Sequence, residues 1–416
     1  MINMFHLINP SGRIVVVDTM DEFDKWKNTE GFREPKLAQI RRFQFDRQQL
    51  FMESQEAGKQ LPRSNDLVKG DLSKGVYLRT VSQGGTDGYS NSSRLMVREL
   101  RKLGIPVSTK YEGQKIGLLY HNPYSLPSLR TKYKILFTMF ESDKLPDDWH
   151  EPLQHADKIL VPSKWCQSVF KKAGFDAEVV NLGYDDVNFN YISRPNKREK
   201  RETFTFLHYN AFNIRKGFPE VLKAFVKEFD KKEPVKMVFK STLDRMPIPI
   251  LKAEYPNIDV ILGKVSDNKL AEIIEDADCF VFPSRGEGFG MTPLEAMATG
   301  LPTIVPNAHG ISEYFNSDYM YEVKVDRKCG ALYSRYKGQD VGKMVICDVA
   351  HLRAQMRFIY EHEHEAKRKG KMASEYVKKY NFKNTADKLI SVFKEVLLKQ
   401  AKEPKIGNIL ILERAK

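Results

Sequence analysis

From about residue 75 the chain alternates short apolar runs with amphipathic segments, breaks off, and then repeats the alternation. No other feature limits its fold so tightly. Parallel strands need long crossovers, and helices laid over them bury both faces of the sheet, so this pattern reads as covered parallel sheets. In the first round GVYLRT (75–80), KIGLLY (115–120), YKILFTMF (133–140), ADKILVPS (156–163) and AEVVNLG (177–183) read as strands. The loop SQGGTDGYSNSS leads into a helix through SRLMVRELRKLG, with Leu95, Met96, Leu100 and Leu103 near one face and Gly104 as its stop. The polar, basic stretch 190–202 then reads as a linker. Beyond it FTFLHYN (204–210), VKMVFKS, IDVILG, CFVFPS and LPTIVP read as strands, and GFPEVLKAFVKEF, LAEIIEDA and TPLEAMATG as helices.

The expected class is therefore α/β, with two Rossmann-like domains facing across a cleft and ligands at the carboxyl ends of the strands. We place a first domain at 71–190, a linker at 191–202, a second domain at 203–375, and a helix and tail at 376–416 packing back on the body. Residues 1–70 fit neither domain and read as a small appended module. Within it RIVVVD looks like a strand and 37–50 like a helix rich in Arg and Gln; the late stretch IGNILIL is expected to dock on the body.

At 416 residues, 41% hydrophobic and 29% charged, the chain reads as soluble and globular. No apolar run approaches the ~20 residues of a membrane span. The start, MINMFHLINPSGR, lacks the plan of a signal peptide. Cys166, Cys279, Cys329 and Cys347 are far apart and read as reduced thiols of a cytoplasmic protein, one that could be peripheral to a membrane. The net charge of +13 is concentrated outside residues 1–70, partly in RPNKREKR at 194–201. It suits polyanionic partners, DNA or an anionic membrane surface, and equally a solvated basic face.

The chemistry concentrates in FPSRGEGFGMTPLEAMATGLPTIV (282–305). Read from spacing, a strand ends at Ser284, Gly286, Gly288 and Gly290 open a tight loop, and a helix begins near Thr292 with Pro293 at its first position. A helix start beside a glycine loop offers free N–H groups and a positive dipole end to a diphosphate. Glu295 could close its own helix through a Thr292–Glu295 capping box, whereas Glu287 has no such structural task and can accept hydrogen bonds from sugar hydroxyls. Asp276 and Asp278 spell a D-x-D metal motif but read as caps between a helix and a buried strand. His362 and His364, two apart on a helix, make no zinc pair.

The segment E-G-F-G-x-x-x-L-E-A-M-A-x-G-x-P resembles the E-x7-E signature of glycosyltransferase family 4, retaining enzymes of GT-B fold. The resemblance covers roughly 75–400 and implies a nucleoside diphosphate sugar donor, UDP- or GDP-linked, with no required cofactor or metal. It puts Glu287 at the donor sugar and Glu295 at the ribose, with backbone of Gly288, Phe289 and Gly290 on sugar and phosphate. NAFNIRKGFPEVLKAF resembles the family's R-x-x-x-x-K-G segment, which makes Lys216 the diphosphate cation. Where many members carry an earlier arginine this chain has Asn210 or Ala211, and Arg215 can replace that charge. By the same resemblance, Gly84, Gly85 and Gly88 approach the donor phosphate, His121 lies near the reacting sugar, and the base is read near Gly263 and Val265. Glu141, in FTMFESDKLPDDW, resembles a subset with T-x-x-E-x-D-x-L-P and falls with Tyr89 on the acceptor side.

The expected reaction is hexosyl transfer with retention to a hydroxyl acceptor, a saccharide or lipid-linked glycan. Two rivals are transfer to hydroxymethylated bases in DNA, as a phage-encoded enzyme would perform, and a catalytically silent GT-B scaffold.

Overall fold

The computed structural model describes residues 5–8, 14–17, 72–80, 88–194, 197, 202–210, 213–242, 254–331, 333–336 and 338–402. The chain divides into two compact units, one of 71–396 and one joining 1–70 to 397–416. In the second of these, β1 (Phe5–Ile8) and β2 (Ile14–Val17) pair antiparallel, from Phe5 opposite Val17 to Ile8 opposite Ile14. The helix expected at 37–50, the stretch IGNILIL, Gly84, Gly85 and Ala211 lie outside the described residues.

The larger unit holds two six-stranded sheets. The first comprises β3 (Val76–Thr80), β4 (Val107–Ser108), β5 (Ile116–Tyr120), β6 (Tyr133–Phe137), β7 (Lys158–Val161) and β8 (Glu178–Val179), in the order β4-β3-β5-β6-β7-β8. Every pairing is parallel. Its helices are α1 (Gly88–Lys102), the short α2 (His150–Leu153) and α3 (Lys164–Lys172). All five residues of β5 are buried, as a strand covered on both faces requires.

Three local expectations are corrected. α1 begins at Gly88, not near Ser93, because Ser90, Ser92 and Ser93 are buried and Ser92 returns its hydroxyl to the Gly88 carbonyl. Leu103 is 36% exposed, since the chain leaves the helix through Gly104 at φ +81°. The strand expected at 177–183 shortens to β8, two residues, after which the chain turns toward the C-terminal helix.

The second sheet comprises β9 (Phe204–Asn210), β10 (Val235–Ser241), β11 (Ile258–Leu262), β12 (Cys279–Val281), β13 (Thr303–Val305) and β14 (Tyr321–Glu322), in the order β11-β10-β9-β12-β13-β14, again all parallel. Its crossovers include α4 (Phe218–Glu228), α5 (Asp267–Glu275) and α6 (Met291–Ala298). Phe204, Phe206, Phe225, Phe229, Met237 and Phe239 dominate the core beneath α4. An antiparallel hairpin, β15 (Val325–Gly330) and β16 (Lys343–Cys347), follows, then α7 (Val349–Glu361), α8 (Glu363–Tyr376) and α9 (Phe382–Lys402). α9 returns to the first domain, where Thr385 donates to the Asn181 carbonyl at 2.8 Å and Lys388 pairs with Glu178 at 2.5 Å.

The basic stretch between the sheets is only partly a solvated charge run. Arg194 donates to the carbonyls of Ile274, Ala277 and Thr299, and Lys197 pairs with the buried Asp278 at 3.1 Å. Asp278 also accepts the Thr205 N–H at 2.8 Å, so it ties the linker to the start of β9.

Candidate active site

β12 ends at Val281, three residues before the expected Ser284, and the chain runs through a glycine loop into α6. The cap of α6 is Gly290, at φ +88° with no side-chain cap bond. Thr292 and Glu295 therefore form no capping box, and Pro293 is the third helical residue, not the first. The first N–H groups of α6 receive no hydrogen bond from a capping side chain.

The glycines are demanded by close approach. A Cβ on Gly286 would lie 2.2 Å from the Glu141 carbonyl oxygen, and one on Gly288 would lie 2.6 Å from Cβ of Met139. The loop is thus wedged against residues of the first domain. Phe289 is fully buried against Tyr314 and Tyr380, so only its backbone can meet a ligand.

Arg215 and Lys216 reach this loop from the turn after β9. Asn213 caps the turn Ile214–Lys216 through the Arg215 N–H at 3.0 Å, and Gly217, at φ +81°, ends it against Pro283. Lys216 Nζ lies 2.6 Å from Glu287 Oε1, and Arg215 Nη1 3.3 Å from the same oxygen. Ser284 donates to that oxygen at 2.8 Å. Arg215 also donates to the Gly286 carbonyl and, through Nη2, lies 3.5 Å from Glu141 Oε1. Glu287 is 6% exposed. Burial alone would push its carboxyl up; the Lys216 and Arg215 cations and the Ser284 hydroxyl outweigh this and hold it at about 2. Burial draws the Lys216 ammonium below its ordinary range, and the Arg215 cation adds to the fall against the pull of Glu287. Hollows of about 300 and 230 Å³ open elsewhere, beside Tyr77 and Thr109 and beside Asn181 and Tyr380.

The other expected site residues fall into three places. Glu295, one turn into α6, is 6% exposed and accepts the Tyr209 hydroxyl at 2.9 Å. Gly263 follows β11 at φ +86° with open space where a Cβ would be, and Val265 comes next but one, half-buried. Gly88 and Tyr89 start α1, and a Cβ on Gly88 would lie 3.8 Å from Cε of Met291. His121 meets the Tyr89 ring edge-on, centroids 5.0 Å apart, and the Tyr89 hydroxyl accepts the Met139 N–H at 3.2 Å. His121 and Tyr89 are therefore linked to the loop through Met139, the residue against Gly288.

Residues that sequence reasoning missed complete the site. His309 stands at φ +43°, a left-handed conformation that disfavours a side chain, and its Nε2–H meets the Ser284 carbonyl at 3.0 Å. Burial lowers its imidazole to about 4, so it is neutral. The adjacent Gly310 N–H donates to the Glu287 carbonyl at 2.8 Å. Tyr333 donates its hydroxyl to Glu141 Oε2 at 3.0 Å. It belongs to the segment between β15 and β16, which leaves the second domain and crosses to the first. There Ser142 donates to the Val341 carbonyl, Lys343 N–H meets Asp143 at 2.6 Å, and Trp149 Nε1–H meets the Tyr336 hydroxyl at 3.0 Å. Nothing in the apolar pattern marked this strap, because its contacts are mostly polar and aromatic and lie far away in sequence.

Among the described residues no cluster of His, Cys, Asp or Glu could hold a metal ion, the four cysteines are free, and no helix is long and apolar enough to cross a membrane.

Known proteins bear on this geometry in two ways. The family profile described as "Glycosyl transferases group 1" matches residues 191–332. The "Putative glycosyltransferase ORF313" of Acidianus filamentous virus 1 is 30% identical over 55% of this chain and 72% of its own length. The mannosylfructose-phosphate synthase of Agrobacterium fabrum is 30% identical over 31% of this chain and 32% of its length. The alpha-monoglucosyldiacylglycerol synthase of Streptococcus pneumoniae is 25% identical over 44% and 42%. The chain thus spans less than half of these two cellular relatives. Among solved structures, Anabaena HepE with UDP and glucose superposes over 77% of this chain and 99% of its own at TM-score 0.55 and 11% identity. A sucrose-phosphate synthase of Thermosynechococcus elongatus does so over 68% and 74% at TM-score 0.53 and 15% identity. These likenesses speak for the fold, the GT-B pair of Rossmann-like domains.

Proposed function

Because this chain belongs to the group 1 glycosyltransferases, we propose that it moves a hexose from a UDP- or GDP-linked donor to a hydroxyl of a saccharide or lipid-linked glycan. In this reading it is a family 4 enzyme that retains anomeric configuration and needs no metal. It works in the cytoplasm, peripheral to an anionic membrane surface.

The observation that supports it most directly is the convergence of Lys216 and Arg215 on Glu287 inside a glycine loop at the carboxyl edge of the second sheet. Phosphate oxygens of the donor would take over the two cations, which then stabilise the charge growing on the leaving group. Glu287, ionised at neutral pH, turns to the sugar hydroxyls, Glu295 to the ribose, and backbone N–H groups of Gly288 to Gly290 to sugar and phosphate. Gly263 and Val265 flank the base. Gly88 faces the donor phosphate, His121 the reacting sugar, and Glu141 and Tyr89 the acceptor. The bond from the anomeric carbon to phosphate breaks, the bond to the acceptor oxygen forms on the same face, and the acceptor proton passes to the departing phosphate.

The test is release of nucleoside diphosphate from a panel of UDP- and GDP-hexoses by the purified chain. K216A and E287Q should each lower release by at least about 100-fold, the scale of losing one preorganised charge contact. Both variants must remain folded by circular dichroism. Undiminished release in both refutes the site.

A further inference from the structure

The carboxyl rim of the second sheet has an order. The glycine loop follows β12, the Arg215–Lys216 turn follows β9, Lys240 stands near the end of β10, and Gly263 follows β11. Adjacent strands lie about 4.8 Å apart, so Lys240 is about 10 Å along the rim from the loop that holds Glu287. That is the reach of a nucleoside lying from phosphate to base.

Lys240 is an unusual residue for a strand centred in a sheet. It is 4% exposed, and it faces away from Phe239, which packs on Phe218 and His208. Its ammonium donates to the Gly263 carbonyl at 2.6 Å and to the Ser241 carbonyl at 3.1 Å. Among the described residues no carboxylate pairs with it, and an ammonium has three N–H groups. A buried cation without a counter-charge is costly. Tying β10 to the turn at Gly263 would need only two neutral donors. Among the described residues the charge and the third N–H are surplus to these two contacts, and Gly263, whose carbonyl takes one of them, has open space where a Cβ would be.

We propose that Lys240 reads the donor's nucleobase, selecting bases that present a carbonyl oxygen where adenine and cytosine carry an amino group. Uracil and guanine offer that acceptor, whereas the amino groups of the other two would set donor against donor. The assignment rests on the second domain being the donor side, and it adds a charged side chain to a subsite otherwise read by backbone.

The experiment is calorimetric titration of the full chain and K240M with UDP, GDP, ADP and CDP. Wild-type protein should bind UDP or GDP at least 10-fold more tightly than ADP and CDP. K240M should lose that preference, with the favoured nucleotide weakened 10-fold or more and the other two changed by less than 3-fold. Equal weakening of all four would place Lys240 at the phosphates or in the scaffold and overturn the proposal, as would an unchanged preference. Should K240M not fold, K240Q keeps two donors for the two carbonyls and is read by the same criteria. Wild-type protein that binds none of the four is a different failure, that of the donor site itself.

Discussion

The carboxyl rims of the two sheets are built from opposite materials. On the second sheet the rim is ionic: Arg215, Lys216 and Glu287 interlock, and Lys240 on β10 and Glu295 on α6 are buried too. On the first sheet it is aromatic and hydroxylic: Tyr89, Tyr120, His121 and Phe137 pack ring to ring, and Ser92 bonds Tyr120 at 2.7 Å. Glu141 is the carboxylate that reaches between them, held by Arg215 on one side and Tyr333 on the other. The contrast suits a division of labour. Under the proposed function the donor diphosphate would meet the fixed charges of the second rim; on the first, Tyr89 and His121 are part-exposed and Tyr120 and Phe137 fully buried beneath them.

The largest expected effect attacks the ionic rim. E287Q leaves Arg215 and Lys216 buried without their shared carboxylate, and breaking such a pair costs about 3–5 kcal/mol. Urea denaturation should show this loss, partly recovered by millimolar nucleoside diphosphate, whose phosphates replace the missing charge. If the nucleotide gives no recovery, the rim does not bind phosphate.

Acid comes next. His208 and His309 are held neutral at about 4 by burial, below the ordinary 6.5. Their stabilising contribution is complete above pH 6.5 and is lost as pH falls toward 4, up to about 3 kcal/mol each. Glu287 adds a second loss between its ordinary 4.5 and about 2. Unfolding free energies at pH 7, 5.5 and 4.5 check this, and H309Q should flatten the upper part of the slope.

Smaller still, Y336F removes a hydroxyl that bonds Trp149 at 3.0 Å and Tyr124 at 3.0 Å, and should cost about 1–2 kcal/mol with donor affinity unchanged. The smallest effect belongs to Y209F, which frees Glu295 of one hydrogen bond: about 1 kcal/mol of stability and a few-fold change in nucleotide affinity. A Y336F protein that lost nucleotide binding would erase the distinction between the rims.

Much of this was readable from the chain, for identifiable reasons. β9 and β10 coincide with FTFLHYN and VKMVFKS because aromatic and β-branched residues dominate both segments and suit a largely buried strand, although polar residues interrupt them. Arg215 and Lys216 were picked out by the family resemblance, since two adjacent basic residues in a loop are by themselves usually solvent-facing, and the structure adds that both meet Glu287. The start of α1 was not, since three buried serines look like a loop until their hydroxyl partners are known. His309 was invisible: nothing in its neighbours announces a left-handed backbone at a non-glycine residue. Tyr333 and Tyr336 depend on partners about 190 positions away, a distance over which periodicity carries no information.

The hairpin that crosses from one half to the other sets a threshold on breathing. Any movement of the halves apart would have to break the Trp149–Tyr336 and Lys343–Asp143 hydrogen bonds that this segment makes across them.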